Sequence, residues 1–338
     1  MRLNKLSLMV LAAALMASAV AVRANQITIA TVPVGDAGNA VDPTTGYGAV
    51  SYNYNIGTYE VTAGQYTAFL SAVGGVDTYG LYNTTMSRTD YGSGITRSGD
   101  GTSDNPYTYS VDSNFTNRPV NYVSYWDSCR FANWLNNGQQ TTAQDSTTTE
   151  HGAYTLTTDE MNNNTIVRNT NWKWAVTSED EWYKAAYYDP NKPGVAGYWK
   201  YPPKSNTEPG RDLADASGNN ANYYGTPYPI DSGKCTTVVG EFQNSPSPYD
   251  TFDQGGNVWE WNEAITSGSW RGLRGGSFDN QPGYLASSLR GYYPPTYPLG
   301  TYIGFRVTSV PEPSTLALLG IGVLGLLGYG WRRRKQSA

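Results

Sequence analysis

The hydrophobic positions divide the chain into three zones. Leu8 to Val22 is an unbroken apolar run behind Arg2 and Lys5, and Leu316 to Trp331 is a second such run, ahead of Arg332-Arg333-Arg334-Lys335. Between them the apolar positions come in short, separate pieces. Gln26 to Val32 and Ala49 to Ile56 alternate as half-buried strands do. Thr62-Ala63-Gly64-Gln65 is a capping box that opens a helix through Tyr66, Phe69 and Leu70. Ser124 opens a second helix, with Cys129, Ala132 and Leu135 at helical spacing, and Thr177-Ser178 opens a third through Trp182, Ala185 and Ala186. Residues 75–118 read as a polar insertion without a period. After the third helix come about 120 residues of Pro, Gly and Asn punctuation with short strands, such as Arg271 to Ser277 and Tyr302 to Val307. No linker or repeat splits this body, so one domain is expected.

The first apolar run has the order of a secretory signal: a basic start, an uncharged core and small residues around Val22-Arg23-Ala24. It is too short and too Ala-rich for a stable span, so residues 1–24 are read as a signal peptide and the mature chain as beginning near Asn25, against the rival of an uncleaved anchor. The second run is near the lower limit for crossing a bilayer. Tyr329 and Trp331 suit its interfacial edge, and the basic cluster holds that end in the cytoplasm, so everything upstream lies outside.

Charge sharpens the picture. The whole chain carries −5, but the two ends hold seven of the 23 basic residues and one of the 28 acidic ones, which leaves the body at about −11. A body this acidic lacks the basic footprint of a nucleic-acid binder. The 28 Tyr and 10 Trp of the whole chain, all but Tyr329 and Trp331 in the body, suit either a recognition surface or an aromatic core. A single histidine, His151, rules out a multi-His metal site and makes a serine-type triad improbable. Cys129 and Cys235 are the only cysteines, and whether they pair stays open.

Two resemblances follow. Pro311-Glu312-Pro313, an apolar segment over 316–331 and a terminal Arg cluster, in that order, resemble the PEP-CTERM sorting signal of bacterial envelope proteins, here spanning 310–338. The resemblance implies an exosortase-type protease as partner, cutting near Pro311, and a body only transiently anchored in the inner membrane. An ordinary single-pass anchor is the alternative. Six segments of the body, Ile56 to Thr62, Pro119 to Asp127, Trp174 to Trp182, Gly256 to Trp261, Leu273 to Phe278 and Gly304 to Val307, resemble in their order the sulfatase-modifying factor family, the formylglycine-generating enzyme domain. The domain is assigned to 25–308. The resemblance implies an α+β fold, a loop-rich variant of the C-type lectin fold with a small twisted antiparallel sheet and two to three helices.

The resemblance also places candidate sites. Oxidising members hold copper with a cysteine pair after the Gly-Gly-Ser motif, since soft thiolates suit Cu(I). Aligned on Gly275-Gly276-Ser277, those positions are Asn280 and Leu285, so no copper and no formylglycine generation are expected. Arg290 is expected to border the degenerate cleft. Asn257, the Val258 carbonyl and Glu260 match one of the family's calcium sites, and Asn222 with the Tyr223 carbonyl part of a second, so structural calcium is an expectation. Glu179, Asp180 and Glu181 read as solvent-facing charges at a helix start, and Arg274 and Arg306 as structural. The function expected is a non-catalytic binding or structural module of the cell envelope, with an extracellular polysaccharide or envelope protein as partner. An oxidoreductase of altered chemistry is the rival.

Overall fold

The computed structural model describes residues 26–266, 268–297 and 300–311. Residues 1–24, read above as a signal peptide, the apolar segment 316–331, Glu312 and Pro313 lie outside them, whereas Pro311 is described and exposed. Among the described residues no helix is long and apolar enough to cross a membrane.

The three capped helices form where the sequence predicts them: α1 over Ala63–Val73, α2 over Tyr125–Asn136 and, after a five-residue helix α3 over Thr158–Asn162, α4 over Glu179–Tyr187. Thr62, Ser124 and Ser178 each close a reciprocal capping box with Gln65, Asp127 and Glu181, which satisfies donors that a helix start leaves orphaned. Helices α1 and α2 meet through aromatic rings: Phe69 lies 5.4 Å from Phe131 and 5.3 Å from Trp134, and Phe131 lies 5.3 Å from Phe305.

The strands are β1 (Thr31–Val34), β2 (Tyr54–Gly57), β3 (Ile95–Ser98), β4 (Thr108–Val111), β5 (Trp174–Val176), β6 (Tyr188–Asp189), β7 (Gly197–Tyr198), β8 (Trp259–Thr266), β9 (Trp270–Arg274), β10 (Gly291–Tyr293), β11 (Ile303–Phe305) and β12 (Val307–Ser309). They build two four-stranded sheets, in the orders β1-β2-β12-β5 and β10-β9-β8-β11, and two hairpins. This departs from one small antiparallel sheet: β11 pairs with β8 in parallel, and the single run read over Tyr302 to Val307 is shared between both sheets. Only Arg306 separates β11 from β12. A sequence period cannot report such a change of partner, because the side chains on both sides of it are buried.

Two further differences have local causes. Residues 26–30 are not a strand, because the Ile27 backbone donates to Gln139 Oε1 at 2.7 Å and accepts from Gln139 Nε2 at 3.0 Å. The polar stretch 75–118 is ordered as a 3-10 turn (Thr84–Ser87) and the β3–β4 hairpin. Leu81, Met86, Ile95 and Phe115 are its few buried apolar anchors, too sparse to give a period.

Candidate functional site

The frame beneath the site is ionic. Arg306 is fully buried; its Nε donates to Glu260 Oε2 at 2.9 Å and its Nη2 to Glu260 Oε1 at 2.8 Å. The same guanidinium donates to the Gly57 and Phe252 carbonyls, each at 2.8 Å, so one side chain ties both sheets and a loop together. Trp182 Nε1 of α4 also donates to Glu260 Oε2, at 2.8 Å. The carboxylates at the start of α4 do not face solvent as a block: Glu179 and Glu181 are buried and paired. Glu179 Oε1 takes Arg274 and its Oε2 takes Arg290 Nη2 at 2.5 Å. Burial pushes the Glu181 carboxyl up, but Arg168, at 2.8 Å, more than offsets this and holds it below its usual range. Asp180 is half-buried rather than solvent-facing, and its Oδ1 accepts from the Gly48 amide at 2.7 Å. Arg274 and Arg306 are structural, as the sequence implied; Arg274 also donates to the Ser287 and Leu289 carbonyls, each at 2.8 Å.

The calcium candidates sit on this frame. Gly256 and Asn257 both adopt left-handed backbone, and a Cβ on Gly256 would collide with the Asn222 carbonyl. Asn257 Oδ1 accepts from the Thr237 amide at 3.0 Å and from Asn222 Nδ2 at 3.3 Å, while Asn257 Nδ2 donates to Glu60 Oε1 at 3.1 Å. The Tyr223 carbonyl accepts from Arg211 Nε at 2.8 Å, and Val258 is buried. Both Glu260 oxygens therefore have protein donors, and the charge facing them is a guanidinium. A hard cation requires free oxygens, so the residues as arranged do not fit a calcium ion at Glu260. Among the described residues no group of three or more His, Cys, Asp or Glu side chains is set to hold a metal. Glu60 Oε2 is the unsatisfied oxygen of this cluster, 4.0 Å from Arg306 Nη2. Burial first, then Asp253, raise its carboxyl well above the usual range.

The degenerate positions separate. Asn280 and Arg290 line one cleft of ≈ 410 Å³, whereas Leu285 is fully buried behind it against Tyr201 and Ala221. Asn280 Oδ1 accepts from the Ser277 amide at 3.0 Å and from the Ser277 hydroxyl at 2.8 Å. An amide so engaged and a buried hydrocarbon do not fit copper. Both cysteines are free; burial pushes the Cys129 thiol up to about 12, and burial likewise raises that of Cys235. His151 is exposed, with Nδ1 3.1 Å from the Thr155 hydroxyl.

What fills the cleft walls is aromatic. Trp259, Tyr284, Tyr292, Tyr293 and Tyr302 line it together with Asp279. Tyr284 and Tyr292 are 45% and 44% exposed, and Trp270, 5.3 Å from Tyr292, extends the same face. Asp279 is exposed and its carboxylate makes no hydrogen bond among the described residues. These lining residues escaped the alignment on Gly-Gly-Ser. The one signal available was the density of tyrosines over 284–302.

A family profile described as the sulfatase-modifying factor enzyme 1-like domain matches residues 25–310. The chain belongs to that family. A PEP-CTERM protein-sorting motif matches residues 309–335, which supports an exported, envelope-associated protein and implies processing by exosortase-type machinery. No curated protein matches the sequence. Among solved structures, the family member is similar to CarF at 20% identity over 85% of this chain and 100% of that one, with a TM-score of 0.52. It is also similar to Treponema denticola variable protein 1 (19% identity, 85% and 96% covered, TM-score 0.49) and to PvdO from Pseudomonas aeruginosa (20%, 84% and 93%, 0.43). At such identity the likeness to CarF shows the fold alone.

Proposed function

We propose that this envelope protein is a non-catalytic binding module whose aromatic cleft, bordered by Asn280 and Arg290, takes an extracellular polysaccharide. The observation that carries the reading is the juxtaposition of exposed Tyr284 and Tyr292 with the exposed Asp279 carboxylate, which has no partner among the described residues. Flat rings cover the apolar face of a sugar at little entropy cost, and the carboxylate accepts from hydroxyls. An enzymatic use of the cleft has less support, because Arg290 is held by Glu179 and Asn280 by Ser277, which leaves neither free to move a proton.

Retention in polysaccharide-containing native gels tests the reading. The full-length chain in detergent should be slowed by its host's exopolysaccharide, and Tyr284→Ala with Tyr292→Ala should abolish the retardation. Conversion of the cysteine in a Cys-x-Pro-x-Arg peptide to formylglycine, read by mass spectrometry after incubation with copper, thiol and air, would sink it.

A further inference from the structure

A second cleft, of ≈ 280 Å³, opens at the start of α2, and neither the family motifs nor the first cleft assign it a role. Its walls include Tyr79, Tyr82, Tyr122 and Trp126, and its polar lining includes Asp127 and Arg130. Tyr79 stands at the mouth, 42% exposed, whereas Trp126 is 4% exposed and its Nε1 has no hydrogen-bond partner among the described residues. The two oxygens of Asp127 do different things. Oδ2 closes the helix cap, accepting from the Ser124 amide at 2.9 Å and from the Ser124 hydroxyl at 2.7 Å. Among the described residues Oδ1 makes no hydrogen bond, and Arg130 Nη1 lies 4.0 Å from it. Arg130 is itself committed through Nε and Nη2 to Glu150, at 2.7 and 3.0 Å, and lies 4.3 Å over the Tyr79 ring.

This inventory selects a ligand class by charge. An ammonium would meet the Arg130 guanidinium in the wall. An anion would meet Asp127 and Glu150 against the one cation between them, a local excess of negative charge. A neutral polyol meets neither objection. Its hydroxyls donate and accept at once, which suits a free carboxylate oxygen beside a spare guanidinium N–H and an indole N–H that lacks an acceptor. Cavities for drug-sized ligands begin at roughly 300 Å³, so this one has room for a single ring. We propose that the α2 cleft is a binding site for one neutral sugar residue, gripped by Asp127 Oδ1 and covered by Tyr79. The site shares no lining residue with the Tyr284 cleft and stands without it.

The test removes the first cleft and asks what remains. The full-length chain carrying Tyr284→Ala and Tyr292→Ala is titrated with D-glucose, D-galactose and N-acetyl-D-glucosamine in ligand-observed saturation-transfer NMR, with choline and D-glucuronate alongside. At least one neutral sugar should give a signal that this background retains. Adding Asp127→Asn, which keeps an oxygen for Ser124 but turns the free acceptor into a donor, should weaken it about tenfold. Tyr79→Ala, at the rim, should weaken it as much, and reports on the site even where the Asn variant fails to fold. No neutral-sugar signal in the background, or one indifferent to both substitutions, would overturn the proposal, as would tighter binding of choline or glucuronate. Polysaccharide retention by the unmodified chain alongside any of these results would leave the first cleft's reading standing.

Discussion

The core and the cleft of this domain use the same residue types for opposite ends. In the core, Trp182, Trp261, Tyr154 and Tyr183 are buried, and each spends its polar atom inside: Trp182 on Glu260, Trp261 on the Val123 carbonyl, Tyr154 on Glu263 and Tyr183 on Asp42. At the cleft, Tyr284 and Tyr292 keep their rings in water. Arginine divides in the same way. Arg306 and Arg274 are buried and each is paired with a buried carboxylate, Glu260 and Glu179, whereas Arg290 is partly exposed. A domain with few long helices or strands obtains rigidity from satisfied buried ion pairs rather than from aliphatic bulk. That frees the loops above them to carry aromatic surface.

The comparison breaks most visibly at Arg306. Arg306→Met leaves Glu260 buried without its cation, and such a loss costs about 3–5 kcal/mol. Urea unfolding should show it, with Arg306→Lys falling between because it keeps the charge and loses the fork. A cost near zero would mean that the frame is not what holds the sheets. Glu60 sharpens the same point through pH. Its folded carboxyl binds a proton more tightly than an unfolded one, whose value is near 4.5. Its contribution is therefore fully present below pH 4.5 and is lost as pH rises through the folded value. The melting temperature should fall over that rise, and Glu60→Gln should flatten the slope; an unchanged slope would place the titration elsewhere.

On the cleft side, Tyr284→Ala should cost no more than about 0.5 kcal/mol of stability, as exposed positions do, while it weakens polysaccharide retention. A large loss of stability would move Tyr284 from the surface to the frame. The smallest effect expected is none: a chelator should leave the melting temperature unchanged, since Arg306 occupies the face of Glu260 that a cation would need. A rise on adding calcium that Glu260→Gln abolishes would restore the metal reading.

Helix starts and the family were legible in the chain because their signals are local. Thr62, Ser124 and Ser178 each announce a helix through one side chain and the residue three places on. Glu260 and Asn257 were legible as a motif and not as a function. Their partners, Arg306 and Glu60, lie 46 and 197 positions away, and an oxygen that could face a cation gives no sequence sign that it faces a guanidinium. The first cleft was half legible: the alignment found Asn280 and Arg290, but Leu285 turned inward and the tyrosines took the walls. Ser124 read as a helix start, and Asp127 closes its capping box. Only the fold shows that one oxygen suffices for the cap.

Strand β12 lies in the interior of its sheet, paired antiparallel with β2 on one side and β5 on the other, and the Val310 amide still bonds the Lys173 carbonyl one residue before Pro311. The sorting motif therefore begins where an interior strand ends. If the processed body is tethered through that end, drag from flow or from a bound polymer enters the molecule along β12. The backbone bonds on both flanks then resist together in shear, instead of opening one after another like the teeth of a zip. A tether at an outer strand would offer the weaker, peeling route.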